Sequence, residues 1–312
     1  MDAVAARAEV SAAARAHDRR ALRARALLLT PAVLTISGFL VLPLSIVLVY
    51  SFLTPGTFGG VVWDFSFNAY IQFLFERDFF DETLVFSTAY LQIYLRSFTQ
   101  AAASTVLCFA IGFPTAYFIA TRPERQKNMW LLLVTVPYWV NLLIRTIAML
   151  FLIRNEGPLN HALMTLGFRD SPLQIAYTNI GVAIGLVYSY LPFMVLPIYA
   201  TIEKLDFHLV EAAYDLYADR WTVLRKIILP LALPGIIAGS LLVFIPSLGA
   251  FIAPDLLGGG KNLMIGNLIA LQFQGSRNWP FGSAAAVILM TVVLAALLYY
   301  IRQQSRSRVR AH

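Results

Sequence analysis

A chain of 312 residues with 59% hydrophobic and only 13% charged residues, and a mean hydropathy of +0.69, is too apolar for a soluble domain; such domains carry about 25% charged residues. The net charge of +7 does not mark a nucleic-acid binder, because the basic residues collect on segments at one side of the hydrophobic runs. A single cysteine, Cys108, lies in an apolar run, which excludes a disulfide framework or thiolate metal site and reads as a small buried hydrophobe.

Residues 1–26 carry Arg7, Arg15, Arg19, Arg20, Arg23 and Arg25 and lack the short apolar core and cleavage site of a secretory signal. They read as a basic cytoplasmic arm, either a helix lying on anionic lipid or a disordered tail. Six runs of membrane-spanning length follow, about 27–50, 94–120, 129–153, 173–200, 231–253 and 283–301. A loop at 51–93 holds Asp64, Glu76, Asp78, Asp81 and Glu82 against Arg77, and Pro114 predicts a kink in the second span. A basic link with Arg122, Arg125 and Lys127 leads into the third span, and a loop at 154–172 contains Gly157-Pro158. Pro192 and Pro197 fall near the end of the fourth span, a Gly-rich loop reaches Gly282, and a basic tail covers 302–312. Six spans put both termini on one side. With the termini inside, the inner segments hold seventeen of the 24 Lys and Arg and the outer loops five, which predicts cytoplasmic termini.

The charge pattern also places Glu211 to Pro230, EAAYDLYADRWTVLRKIILP, in the cytoplasm. This stretch is too polar to enter a membrane, yet Leu209, Ala213, Leu216 and Tyr217, then Trp221, Leu224 and Ile228, fall at helical spacing. Asp206 and Asp219 stand where a side-chain oxygen caps free amides. The expectation is two short amphipathic helices joined by a turn, closed by Leu229 and Pro230.

Gly258-Gly259-Gly260-Lys261 is not a phosphate-binding loop, since Asp255 stands where the first glycine belongs and Asn262 follows the lysine. His17, His161, His208 and His312 are scattered, no nucleophile arrangement is visible, and no enzyme is expected. Arg145 is an ionisable residue inside the third span, one helical turn beyond Asn141. Lining a water-accessible path is one role; a strut to a neighbouring helix is preferred, because a fixed cation repels a cationic substrate. Aromatics near a carboxylate suit an ammonium ligand, although Tyr and Trp also favour membrane interfaces. The candidate substrate-path residues are Trp139, Asn141, Tyr188, Tyr190, Phe251 and Asp255.

Glu211-Ala212-Ala213, fifteen residues, then Leu229-Pro230 resembles the EAA signature of bacterial ABC importer permeases. Leu231 to Gly259, Lys261 to Asn267, Arg277 to Gly282 and Pro137 to Arg145 are similar to the polyamine (spermidine/putrescine) branch of that family, and the resemblance covers about 27–301. It implies an all-α integral membrane protein with the six transmembrane helices of the type I permease fold and a coupling segment at 203–230. The implied partners are a second permease, two cytoplasmic ATPases that bind the ATP and magnesium, and a periplasmic solute-binding protein; lipid surrounds the chain and no nucleic acid is involved. By the same resemblance Glu211, Ala212, Ala213, Asp215, Leu216, Tyr217, Leu229 and Pro230 carry the coupling. The solute is expected to be a polyamine, with an opine, modified amino acid or organophosphonate as the alternative. A secondary transporter is the rival class, and gives no reason for the polar segment. Tyr217 departs from the family's glycine, where a helix-ending turn uses a left-handed residue. The expectation is that the helix runs on another residue or two and avoids that turn.

Overall fold

The computed structural model describes residues 28–77 and 84–309; the basic arm 1–26 and the acids Asp78, Asp81 and Glu82 lie outside them. The first helix, α1 (Leu28–Tyr50), is apolar all round and buries nothing within this chain, as suits a helix facing lipid or another chain. Its turn at Ser37–Val41 is a π turn, in which the Leu42 N–H reaches the Ser37 carbonyl. Pro43 explains the widening: proline has no N–H, and its ring collides with the carbonyl four residues back unless the turn opens.

Residues 51–93, expected as loop, fold in part into two antiparallel hairpins. Strand β1 (Leu53–Pro55) pairs with β2 (Val61–Phe65), and after the short helix α2 (Asn68–Ile71), β3 (Phe75–Arg77) pairs with β4 (Leu84–Phe86). Phe52, Phe65, Phe67 and Tyr70 fasten the first hairpin to α2, with ring centroids 5.2–5.7 Å apart.

Three long helices form the centre: α3 (Ala89–Ala120), α7 (Asn179–Ile202) and α9 (Arg220–Leu248). Their shared core joins Cys108, Phe113 and Ile119 of α3 to Met194, Ile198 and Ile202 of α7 and Val223, Ala232 and Val243 of α9. Lipid tails are as apolar as leucine, so close backbone approach and internal hydrogen bonds must hold such a bundle. Both are present. A Cβ on Gly112 would lie 2.9 Å from Met194 Cγ, so the helices meet where a side chain is missing. Gln100 Nε2 donates to the Asn179 carbonyl at 2.6 Å, and the Tyr94 hydroxyl donates to the Ala285 carbonyl at 2.7 Å.

The third span is not one rod. Helix α4 (Glu124–Thr135) tightens into a 3-10 turn at Val136–Trp139, Val140 is extended, and α5 (Leu142–Ile153) leaves at 94°. Pro137 cannot supply its N–H, and the Asn141 side chain caps the new helix by accepting from Leu143 N–H at 2.8 Å. The loop expected at 154–172 contains a further helix, α6 (Pro158–Thr165), with proline at its first turn. The fourth span starts at Asn179, six residues later than expected, where Thr178 caps it. Helices α10 (Ile252–Gly258), α11 (Ile265–Gln274) and α12 (Trp279–Val309) complete the chain. Among the described residues five helices are long and apolar enough to cross a membrane, and the bent pair, counted as one broken span, is the sixth.

Candidate functional site

The polar stretch is a helix, a turn and the start of a second helix. Helix α8 (His208–Asp215) opens beneath Asp206, whose Oδ1 accepts from the His208 N–H at 3.0 Å, and Glu211 Oε2 lies 3.1 Å from His208 Nδ1. The helix does not run on as expected. It ends at Asp215, and Tyr217 takes the left-handed conformation at φ +58°. The Ala218 N–H reaches the Ala213 carbonyl at 3.0 Å and the Tyr217 N–H reaches the Tyr214 carbonyl at 2.9 Å. This pair of bonds is the Schellman closure, built here with tyrosine where glycine is usual, at a cost of about 1–2 kcal/mol. It is retained because Ala213 and Ala218, the small residues at its two ends, both pack on the central core.

The buried face of the tip is therefore Phe207, Val210, Ala213 and Ala218, which shares only Ala213 with the stripe of Leu209, Ala213, Leu216 and Tyr217. Leu209, Leu216 and Tyr217 point away, as does Trp221 at the start of the second helix, with Leu216 82%, Tyr217 98% and Trp221 67% exposed. Glu211, Ala212 and Asp215 are exposed beside them. An apolar surface rimmed by charge and carried outside the bundle is the shape of a docking surface.

Asp219 caps the second helix, accepting from the N–H groups of Trp221 at 3.1 Å and Thr222 at 3.3 Å. The Thr222 hydroxyl donates to the same carboxylate and, with these amides, holds its pKa below the ordinary value. This second helix is not a separate short element. It is the beginning of α9, which passes without interruption from Arg220 to Leu248. Leu229 and Pro230 lie inside it and do not close the segment. A π turn at Leu224–Ile228 precedes Pro230, as another precedes Pro43, and lets the helix carry a proline without breaking.

A second polar cluster was invisible in the sequence. Lys127 Nζ lies 2.7 Å from Glu124 Oε1 and 3.6 Å from Glu203 Oε1, and the Tyr199 hydroxyl donates to that same Glu203 oxygen. The cluster ties the start of α4 to the end of α7, just ahead of α8. Glu124 with Lys127 and Tyr199 with Glu203 are each at ordinary helical spacing, but the two pairs are far apart in sequence, and nothing local announces that they meet.

Higher in the bundle, a cavity of about 170 Å³ is walled by Leu142, Leu186, Ser189, Tyr190, Phe251 and the break after α9 at Pro246–Ala250. Of the candidate path residues, Tyr190 and Phe251 line it, and the Tyr190 hydroxyl reaches the Pro246 carbonyl at 3.4 Å. Asn141 is occupied as a helix cap, Trp139 is 83% exposed at the elbow of the third span, and Asp255 is exposed on α10. Tyr188 lies under Arg145, whose guanidinium carbon stands 5.8 Å from its ring centre and 5.5 Å from that of Tyr138.

Residues 110–311 match the family model described as the binding-protein-dependent transport system inner membrane component. The chain belongs to this family. The permease is 42% identical over 274 residues to the spermidine/putrescine transport system permease protein PotB of Escherichia coli K12, covering 86% of this chain and 95% of that one. It is 40% identical over 264 residues to the protein of the same name from Haemophilus influenzae, covering 85% and 88%. Among solved structures, a chain of a bacterial ABC transporter involved in import of the acidic polysaccharide alginate superposes with a TM-score of 0.69, at 17% identity, over 92% of this chain and 96% of that one. This permease has the type I importer fold and is a multi-pass inner-membrane transport component, and the segment around Glu211 is the family's EAA motif.

Proposed function

We propose that this permease forms half of the translocation path of an ATP-driven importer for polyamines of the spermidine and putrescine class. The observation that carries the substrate is the 42% identity to a spermidine/putrescine permease along nearly its whole length. A second permease, a different chain, completes the path, and a periplasmic binding protein delivers the solute. Two cytoplasmic ATPases bind ATP and magnesium. The exposed tip of Glu211, Leu216, Tyr217 and Trp221 seats in a groove on one ATPase, with both termini of the permease on that side. Its apolar centre supplies buried contact and its charged rim the register.

The test is uptake of labelled spermidine by vesicles holding the transporter, its binding protein and internal ATP, with co-purification of the ATPase on tagged permease. Glu211→Arg is expected to abolish uptake and weaken recovery of the ATPase. Normal uptake by this variant overturns the coupling role. A binding protein that captures neither spermidine nor putrescine at micromolar levels overturns the substrate.

A further inference from the structure

A polycation path poses a problem in this chain, because its cavity stands beside a buried positive charge. Arg145 is 6% exposed, enters no ion pair among the described residues, and leaves its Nε without a hydrogen-bond partner there. Among the described residues its one direct acceptor is the Pro137 carbonyl, 3.3 Å from Nη1 across the elbow of the third span. A strut needs a counter-charge to offset the cost of burial, and here two tyrosine rings and one carbonyl serve instead. Those rings leave the charge largely unneutralised, so its field reaches the neighbouring space. The cavity borders that space: Leu142, three residues before Arg145 on the same face of α5, lines it, and Tyr190 on its opposite wall lies within electrostatic reach of Arg145. Tyr190 lies thirteen residues before Glu203, which puts the cavity about 20 Å from the cytoplasmic cluster along α7, well inside the membrane.

We infer that Arg145 is the electrostatic barrier of the path, a fixed cation that keeps small cations from leaking through the cavity when no solute is being driven. The inference deepens the importer reading and rests on it. A fixed positive charge beside a narrow polar constriction raises the barrier to cations; the polyamine, itself cationic, passes only when the driven opening of the bundle widens the constriction and moves its wall away from Arg145. Carbonyl and hydroxyl dipoles at Pro246, Tyr190 and Ser189 would otherwise make the cavity hospitable to a partly dehydrated cation. Arg145 is thus a selectivity residue and not a ligand for the transported amine.

The experiment measures potassium efflux from proteoliposomes containing the transporter with its partner subunits, without ATP or binding protein, against efflux of a neutral sugar. Arg145→Gln is expected to raise potassium efflux about tenfold and leave sugar efflux unchanged, while Arg145→Lys stays near the parent. Leu142→Glu keeps Arg145 and sets a carboxylate one turn away on the cavity wall. It neutralises the field without removing the arginine, is expected to leak likewise, and decides the matter alone if Arg145→Gln does not assemble. Parental potassium efflux in an assembled variant of either kind overturns the barrier, as does an equal rise for the sugar, which would mean a damaged bundle. The readout contains no polyamine, so failure of the spermidine uptake assay and failure of the barrier are separate results.

Discussion

Met194 of α7 occupies the place that a side chain on Gly239 of α9 would need: an ideal Cβ there falls 2.9 Å from the Met194 sulfur and 3.1 Å from its carbonyl oxygen. Gly112 of α3 meets the same methionine from another helix, so one side chain keys three helices together. In Gly239→Ala the gain in helix propensity, about 0.5–1 kcal/mol, is outweighed by overpacking of about 1–3 kcal/mol. The expected outcome is a lower unfolding temperature in detergent. Adding Met194→Ala recovers part of the loss at most, because the carbonyl contact remains.

The hydrogen bond from Gln100 to the Asn179 carbonyl ties α3 to the first turn of α7. Gln100→Leu keeps the volume and removes the donor. It is expected to cost about 0.6–1.7 kcal/mol, the range for polar contacts between membrane helices, read as loss of thermal stability with uptake retained at permissive temperature.

Tyr217 holds a left-handed backbone and gives its ring no burial in this chain. Tyr217→Gly relieves about 1–2 kcal/mol of backbone strain and should make the tip more resistant to proteolysis in the isolated permease. If the ring is retained for contact with the ATPase, the same variant lowers ATP-driven uptake. Greater resistance with unchanged uptake would make the tyrosine a tolerated substitution.

The six crossings were legible because hydropathy reports length and burial in lipid. Direction is a different matter. The apolar run 129–153 read as one span, and Pro137 followed by Asn141 was the available sign of a break, since one lacks a donor and the other caps a new start. The tip was legible as helix, turn, helix, but periodicity defines a stripe without saying what covers it. The stripe at Leu209, Ala213, Leu216 and Tyr217 divides: Ala213 packs on the core with Val210 and Ala218, and the three larger side chains are left exposed. The left-handed Tyr217 went unforeseen because local strain argues against it, and only the packing of its two alanine neighbours outweighs that cost.

Asp219 carries the clearest pH dependence. Its carboxylate is favoured by the Thr222 hydroxyl and two amides, so its pKa is depressed on folding. A group of this kind stabilises above its unfolded pKa, about 4, and loses that contribution as pH falls through the lower folded value. The start of α9 is therefore expected to hold its protease resistance from neutral pH down to about 4 and lose it below. Asp219→Asn, which keeps a capping oxygen, should remove most of that dependence.

Lys127, Glu203 and Tyr199 tie the start of α4 to the end of α7, next to the tip. Glu203→Gln should change the uptake rate by up to about fivefold, the range of a partly exposed ion pair. Exchanging the charges as Lys127→Glu with Glu203→Lys should restore part of it, measured against Lys127→Glu alone.

The π turn ahead of Pro230 has a mechanical consequence. With Pro230, Pro234 and Pro246 all carried along it, α9 still runs as one continuous helix of 29 residues, about 43 Å long, from Arg220 beside the exposed Trp221 to Leu248, two residues past the cavity wall at Pro246. A tilt of about 5° imposed at the tip would swing the far end by about 4 Å. The swing would be spent at Gly249, where the rod stops and the chain turns. If the tip docks on an ATPase as proposed, the helix serves as a crank, and its length sets the gearing between movement at the tip and how wide the cavity opens.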